Sequence, residues 1–556
     1  MRARLFSRAL ALAVAACALA LYSSQLPPAV ARSDRPWCEH CNIILISFDT
    51  VRADHLGVYG YGRDTSPNID RFAQNAVVFD EAISQAAWTL PAHGSIFSGL
   101  YPGRLGVLHY PAMHRLPDDN PVLATELRKA GYATGGFTGG GFVSDHYGFD
   151  RGFDVYSTSG RHFEDNFDQA VAWLRTNSDH PFFLFLHGYD AHRPYYSKPS
   201  DKKEMGLPAG SPSEQGRYCI GSNRARPDAP ELDEIVRYYD ASIHHGDRTL
   251  GVFLRALDHL DLMDNTVILL TSDHGEEFFE HGNCDHVRFL YRESVHVPLV
   301  LYVPHMTRGT RHIAGLVPAS ISIARTLLDI VGVDHSMPGV TLLPVINGTQ
   351  RDFPVVYSEA ESDPGVLGSR GDCRAMTRPN QKLISYADEG SDEGFDLKND
   401  RLETKVLPER SEVYFLRSTL RAFADAQTPL QAEARDVDLT PEELGETSGG
   451  FGSGVAAPGS AGAAGSDSAA APEGAGPAGG CAGAVPAGRD AVPDAAGAGS
   501  AGGGVAAPDA AGRGGAARGS GPGDRKAAAK RAPRKNDAKD VPDDVKESLR
   551  SLGYLE

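Results

Sequence analysis

The sequence predicts an α/β fold built on a mainly parallel central sheet with helices on its faces. Three observations predict it. Short apolar runs occur without polar alternation, as expected of strands covered on both faces. They are Ile43-Ile44-Leu45-Ile46-Ser47-Phe48, Phe182-Phe183-Leu184-Phe185-Leu186 and Val267-Ile268-Leu269-Leu270-Thr271-Ser272. Helical stretches lie between them, at 65–76 and 230–262. Each run also stops at a polar side chain: Asp49, His187 and Asp273-His274 respectively. In open α/β sheets the site lies at the carboxyl ends of the strands, so these polar residues are expected to meet there.

The first strand is followed by Asp49. Alone, such an aspartate is more often a helix cap than a ligand. Asp273-His274-Gly275 alone reads equally well as a tight turn. Two acids and a histidine after two similar strands point instead to a metal site. Carboxylate and imidazole ligands leave Mg²⁺, Mn²⁺, Ca²⁺ and Zn²⁺ open. The segment Trp88-Thr89-Leu90-Pro91-Ala92-His93-Gly94-Ser95 opens a helix running toward Gly99. Thr89 suits the N-cap, and proline is tolerated in the first turn. The same position exposes the Thr89 hydroxyl to the positive end of the helix dipole. A cation held by Asp49, Asp273 and His274 would ease loss of its proton, and the alkoxide could attack phosphorus or sulfur.

Composition bounds the rest. The chain has 556 residues, 41% of them hydrophobic, enough for a sizeable core. Its 54 basic and 72 acidic residues leave a net charge of −18, which argues against nucleic acid as partner. Between Gly449 and Asp524 the chain is nearly all Gly, Ala, Pro and Ser and is expected to stay disordered. A basic cluster follows (Arg525, Lys526, Lys530, Arg531, Arg534, Lys535, Lys539), open to contact with an anionic cell envelope. Residues 541–556 regain helical spacing through Val545, Leu549 and Leu552 and are expected to dock on the domain.

At the N-terminus, Arg2, Arg4 and Arg8 precede an apolar run at 9–22, then Ala29-Val30-Ala31. The run is shorter than the roughly 20 residues a spanning helix needs. Residues 1–31 read as a signal peptide, predicting a periplasmic or extracellular protein, with an uncleaved membrane anchor as the alternative. Val14-Ala15-Ala16-Cys17 also has the look of a lipoprotein box, although the apolar run continues past it. Cys38, Cys41, Cys219, Cys284, Cys373 and Cys481 would remain after cleavage. Cys38-x-x-Cys41 favours a disulfide over half a metal site, since no second CxxC exists, and Cys481 is expected to be unpaired.

Here a resemblance enters. Ser47-Phe48-Asp49-Thr50-Val51-Arg52-Ala53-Asp54-His55-Leu56, then Thr65-Ser66-Pro67-Asn68-Ile69-Asp70 and Trp88 to His93, resemble the opening of the sulfatase family, of the alkaline phosphatase-like superfamily. The likeness continues in Phe185-Leu186-His187-Gly188-Tyr189-Asp190-Ala191-His192-Arg193-Pro194-Tyr195, in Thr271 to Gly275, and in His286 to Glu293 leading to Val297-Pro298-Leu299. Phe395-Asp396-Leu397-Lys398-Asn399-Asp400 resembles the family's C-terminal subdomain, and Leu549 to Tyr554 its usual ending. The resemblance implies an alkaline phosphatase-like sandwich with a small C-terminal α+β subdomain. It implies a catalytic domain at 42–354 and the subdomain at 355–445, after which composition sets the Gly/Ala/Pro-rich segment at 446–540. It makes Asp49, Thr89, Asp273 and His274 the ligands of one divalent ion (Ca²⁺, Mn²⁺ or Mg²⁺, with Zn²⁺ open). Thr89 is also the nucleophile. His192 and His286 would face the substrate anion or leaving group, and His93 stands where the family has an arginine and would orient Thr89. His187 is the weaker candidate and reads equally as a packed core residue.

The chain departs from the family at three places. Formylglycine sulfatases need Cys or Ser as nucleophile, and Thr89 cannot be oxidised to the aldehyde. Their paired aspartates are Asp49-Thr50 here, and their arginine is His93. The resemblance therefore implies a hydrolase of small-molecule or polysaccharide sulfate or phosphate esters. The alternatives are a phosphoglycerol- or phosphoethanolamine-type transferase acting on envelope polymers, and an inactive metal-stabilised binding protein.

Overall fold

Burial of both faces of the predicted runs is what a central sheet requires, and the computed structural model has one. It describes residues 36–110, 114–208, 226–306, 309–362, 370–386 and 390–427. The expected leader, the Gly/Ala/Pro tract, the basic cluster and the closing helix lie outside these residues, as do Cys219 and Cys481. The eight strands run, edge to edge, Arg311–Pro318, Val77–Ile83, Leu299–Tyr302, Thr266–Ser272, Asn42–Phe48, Phe182–Gly188, Ala133–Phe137 and Val155–Ser157. Only Leu299–Tyr302 runs against its neighbours. The three apolar runs are thus adjacent central strands, in the register Ile43↔Phe183 and Ile43↔Val267.

Alternate residues of the central strand enter different cores. Ile43 and Leu45 join Leu90 and Phe97 of helix Thr89–Ser98 and Ile323 and Leu327 of helix Ser320–Val331. Ile44 and Ile46 join Phe163 and Phe167 of helix Phe163–Asn177 and Leu250 and Phe253 of helix Ala229–His259. The predicted helices differ at their ends for local reasons. The first spans Pro67–Ala73, with proline at its first turn. The second begins at Ala229 because the Asp228 carboxylate accepts from Glu231 N and caps it. The strand expected to stop at His187 continues to Gly188, since Ser47 and Phe48 still pair with His187 and Gly188.

A second sheet of five strands contains Val356–Ser362, Cys373–Arg378, Gln381–Tyr386 and Ser391–Asp396 as an antiparallel set. Its edge is His109–Tyr110, borrowed from far upstream and paired parallel to Glu361 and Ser362. Ala375, Ile384 and Phe395 of this sheet share one core with Leu45 and Phe97. A buried ion pair ties it down further. Lys382 Nζ lies 2.9 Å from both oxygens of Glu403, each side chain 2% exposed. Glu403 also accepts from the backbone of Arg292 at 3.1 Å. Removing one partner of such a pair strands a buried charge. Lys382→Met is expected to lower stability by about 3–5 kcal/mol, and adding Glu403→Gln to recover most of it. Denaturant midpoints of the three proteins check this.

Cys38 and Cys41 form a disulfide. Cys284 is disulfide-bonded as well, whereas Cys373 is a buried free thiol. Among the described residues no helix is long and apolar enough to cross a membrane.

Candidate active site

The adjacent central strands deliver Asp49 and Asp273-His274 to one edge of the sheet, all three fully buried. Their turns are tightly specified. Thr50 sits at φ 58°, a left-handed conformation that a β-branched residue rarely adopts. It is held by Tyr239, whose hydroxyl donates to the Thr50 carbonyl at 2.7 Å, and its own N–H donates to Asp273 Oδ1 at 3.3 Å. After His274, a side chain at Gly275 would meet the Glu293 carbonyl oxygen at 1.9 Å, so only glycine fits that close approach.

Thr89 reaches the same point from the side. It does not cap its helix, as expected from sequence, because Trp88 occupies the cap in extended conformation and Thr89 is the first helical residue. The hydroxyl is thereby free to turn to the acids. It donates to Asp49 Oδ2 at 3.2 Å and lies 3.3 Å from His274 Nε2. Asp49, Asp273 and His274 present ligand atoms all within 4.8 Å of one another.

His93 lies one turn along that helix. Its Nδ1–H donates to the Thr89 carbonyl at 3.0 Å and lies 3.4 Å from Asp273 Oδ2, while Nε2 is 3.0 Å from Ser47 Oγ. It therefore holds the Thr89 backbone and not the hydroxyl. Burial pushes its pKa down to about 4, so His93 stands there as a neutral imidazole.

His192 and His286 meet beside this cluster. The His286 ring is 4.5 Å from that of His274 and 5.1 Å from that of His192. His192 Nδ1–H donates to the Arg193 carbonyl at 2.6 Å. His286 Nδ1 sits 3.1 Å from Asp285 and 3.3 Å from Glu276. Burial alone would lower His286, but those carboxylates outweigh it and push it up to about 10. Burial first, then the neighbouring His286, hold His192 well below the usual range, against a smaller upward pull from Asp285. Glu276, Asp285 and His286 also sit close enough to form a second ligand cluster. That cluster already has a cation, since Arg193 donates to Asp285 Oδ2 at 2.8 Å.

Sequence reasoning missed Arg193, Glu276 and Asp285, because nothing in their spacing announces a charge network. It also undervalued His187. That ring is fully buried, with Nε2 3.4 Å from Asp49 Oδ2 and its plane nearly perpendicular to His93 at 4.9 Å. The usable signal was its place in the strand, opposite Ser47 and one step short of the edge that carries Asp49.

The charge balance supports a bound cation. Burial first, then the neighbouring Asp273 carboxylate, push Asp49 well above the usual carboxylate range. Among the described residues no lysine or arginine ion-pairs with Asp49 or Asp273; histidines alone do so. Asp49 Oδ1 and Asp273 Oδ2 have no hydrogen-bond partner. Buried carboxylates left so are those that coordinate metals. Asp49, Asp273, His274 and the Thr89 hydroxyl fit a divalent ion.

The sulfatase family model matches residues 41–333, and that of the N-sulphoglucosamine sulphohydrolase C-terminal region matches 279–426. The chain is similar to a Delta 4,5-hexuronate-2-O-sulfatase of Bacteroides thetaiotaomicron, 23% identical over 432 residues, 70% of this chain and 88% of that one. It is 29% identical to arylsulfatase K of Canis lupus familiaris over 303 residues, 46% of this chain, and spans 55% of that relative's length. Its fold matches that of a protein solved in complex with its substrate D-glucosamine-2-N,6-O-disulfate, with TM-score 0.59 and 18% identity, over 69% of this chain and 97% of that one.

Proposed function

Because the chain belongs to the sulfatase family, with its alkaline phosphatase-like fold and ester hydrolase chemistry, we propose that it hydrolyses sulfate esters of a saccharide with Thr89 as nucleophile. One observation carries this reading: the buried Thr89 hydroxyl lies between Asp49 and His274, within hydrogen-bond reach of both. The saccharide is supported by the relative named for hexuronate.

Asp49, Asp273, His274 and Thr89 would hold a single divalent ion. When bound, such an ion supplies Lewis-acid polarisation of the ester's non-bridging oxygens and lowers the pKa of a neighbouring hydroxyl. The chain's own residues do the remaining work. Thr89 Oγ bonds to sulfur as the bond from sulfur to the sugar oxygen breaks, and its proton passes to Asp49 Oδ2, its hydrogen-bond acceptor. His286, with Nδ1 held by Asp285 and Glu276, uses Nε2 to protonate the leaving sugar oxygen. His192, with Nδ1–H committed to the Arg193 carbonyl, keeps a lone pair on Nε2. It takes a proton from water as the water oxygen attacks sulfur. Thr89 leaves with the proton stored on Asp49, and transfer from His192 to His286 across their 5.1 Å ring separation restores the site. The sum is ester plus water giving alcohol plus hydrogen sulfate. His93 keeps Thr89 in place through its carbonyl.

In the same reading 1–31 is a leader removed on export, and 42–354 with 355–445 form one catalytic body, which the shared core supports. The test is turnover of nitrophenyl sulfate beside bis-nitrophenyl phosphate, using protein from Arg32 onward with Mn²⁺, Zn²⁺ or Ca²⁺. Sulfate cleavage is expected to dominate. Phosphodiester cleavage alone would reassign the site to phosphoryl chemistry, which the unoxidisable Thr89 suits. Turnover that required an added alcohol would reveal a transferase.

A further inference from the structure

One buried imidazole at the ion cluster has no role in the steps above. His187 is fully buried, and neither of its ring nitrogens has a hydrogen-bond partner. As a mere core residue it would carry an uncompensated desolvation cost. His93, its neighbour, differs in this respect, since both of its nitrogens are engaged. The orphan nitrogens lie in a particular place. Nε2 of His187 is 3.4 Å from Asp49 Oδ2, the oxygen that also receives the Thr89 hydroxyl.

That separation has a meaning. Two donor atoms each about 2.1 Å from one ion lie about 3.0–3.4 Å apart for octahedral to tetrahedral angles. The cluster repeats this spacing. Thr89 Oγ is 3.2 Å from Asp49 Oδ2 and 3.3 Å from His274 Nε2, and His274 Nε2 is 3.3 Å from Asp273 Oδ2. His187 extends the series by one member, from the neighbouring strand. The adjoining position on the Asp49 strand, Thr50, offers no carboxylate, and its side-chain oxygen has no partner.

We propose that His187 Nε2 is an additional ligand of the ion, and that the ion is an imidazole-preferring first-row transition metal of the Zn²⁺ type, not Ca²⁺ or Mg²⁺. The proposal rests on the cation reading of the Asp49–Asp273–His274 cluster and goes beyond its four ligands. Two carboxylates, two neutral imidazoles and a hydroxyl sum to a charge of −2, matched by one divalent ion. Imidazoles suit zinc and its neighbours, whereas calcium and magnesium favour all-oxygen shells.

The experiment is zinc-edge X-ray absorption on the full chain loaded with one equivalent of Zn²⁺, with Zn²⁺ and Ca²⁺ affinities from competition against a chromophoric chelator. Two imidazoles per zinc are expected in the wild type and one in His187→Phe. That variant should lose zinc affinity by about 10-fold or more and keep its circular dichroism. One imidazole in the wild type would overturn the proposal, as would variant affinity within twofold of wild type, or Ca²⁺ bound more tightly than Zn²⁺. Should His187→Phe fail to fold, the wild-type spectrum and the Zn²⁺/Ca²⁺ ratio decide alone. None of these readings needs turnover. Two imidazoles on a protein that cleaves no ester would sink the proposed activity and leave this ligand standing, and ester cleavage with one imidazole would do the reverse.

Discussion

Thr89→Ala is expected to reduce kcat by about 10⁴-fold or more, with little change in stability. The size follows from removing the atom that takes the sulfuryl group from the sugar in the first step, a loss no neighbour can make good. The small folding effect follows from geometry. Thr89 is the first residue of its helix and not the cap, and its hydroxyl bonds only to the ion cluster. Its loss should therefore cost the apo fold less than about 1 kcal/mol. Thr89→Ser keeps the hydroxyl in the same helical position and is expected to retain turnover within about 10²-fold. Steady-state kinetics with thermal melts on both variants check the pair. Unchanged turnover in Thr89→Ala would remove Thr89 from the mechanism outright.

Removal of the cation should have the second largest effect. Two buried carboxylates share a site without a lysine or arginine ion-pair partner among the described residues, and burial with repulsion from Asp273 holds Asp49 well above its ordinary pKa. The sign follows from proton binding. A raised carboxyl pKa means that the folded state holds a proton which the unfolded chain releases. Stability of the metal-free protein therefore falls as pH rises from about 3.8 through the raised value. A bound divalent ion replaces that proton, and at 100 times its Kd adds about 2.7 kcal/mol. Chelation at pH 7 is expected to abolish turnover and lower Tm by several degrees, with a smaller shift at pH 5. Asp49→Asn should be more stable than the wild type without metal and gain little from added Zn²⁺. Melts of both proteins with and without chelator, at the two pH values, measure all four terms. A wild-type Tm indifferent to chelator at pH 7 would contradict the cation site.

The candidate site was legible in part. Asp49, Asp273-His274 and Thr89 could be found because each marks a local event, the end of an apolar run or the start of a helix. The strands that carry the acids also proved adjacent, with Asn42 opposite Thr266 and Phe48 opposite Ser272. Two local expectations failed for equally local reasons. Thr89 looked like a cap, but the extended Trp88 took that position and released the hydroxyl. His187 looked like the stop of its strand, yet the ladder ran on to Gly188.

From the residues and their order alone came the α/β class, the family, and the candidates for nucleophile and ion ligands, because periodicity, strand ends and helix starts are written within a few neighbouring residues. Other features depended on how distant segments are brought together. Register across two strands sets His187 against Asp49. The meeting of two distant segments pairs Arg193 with Asp285. Packing of the second sheet recruits His109 and Tyr110 as an edge strand and buries Lys382 on Glu403. Charge interactions of this kind act over a few ångströms, while the residues that make them stand up to about a hundred positions or more apart along the chain, so the fold had to close before they existed.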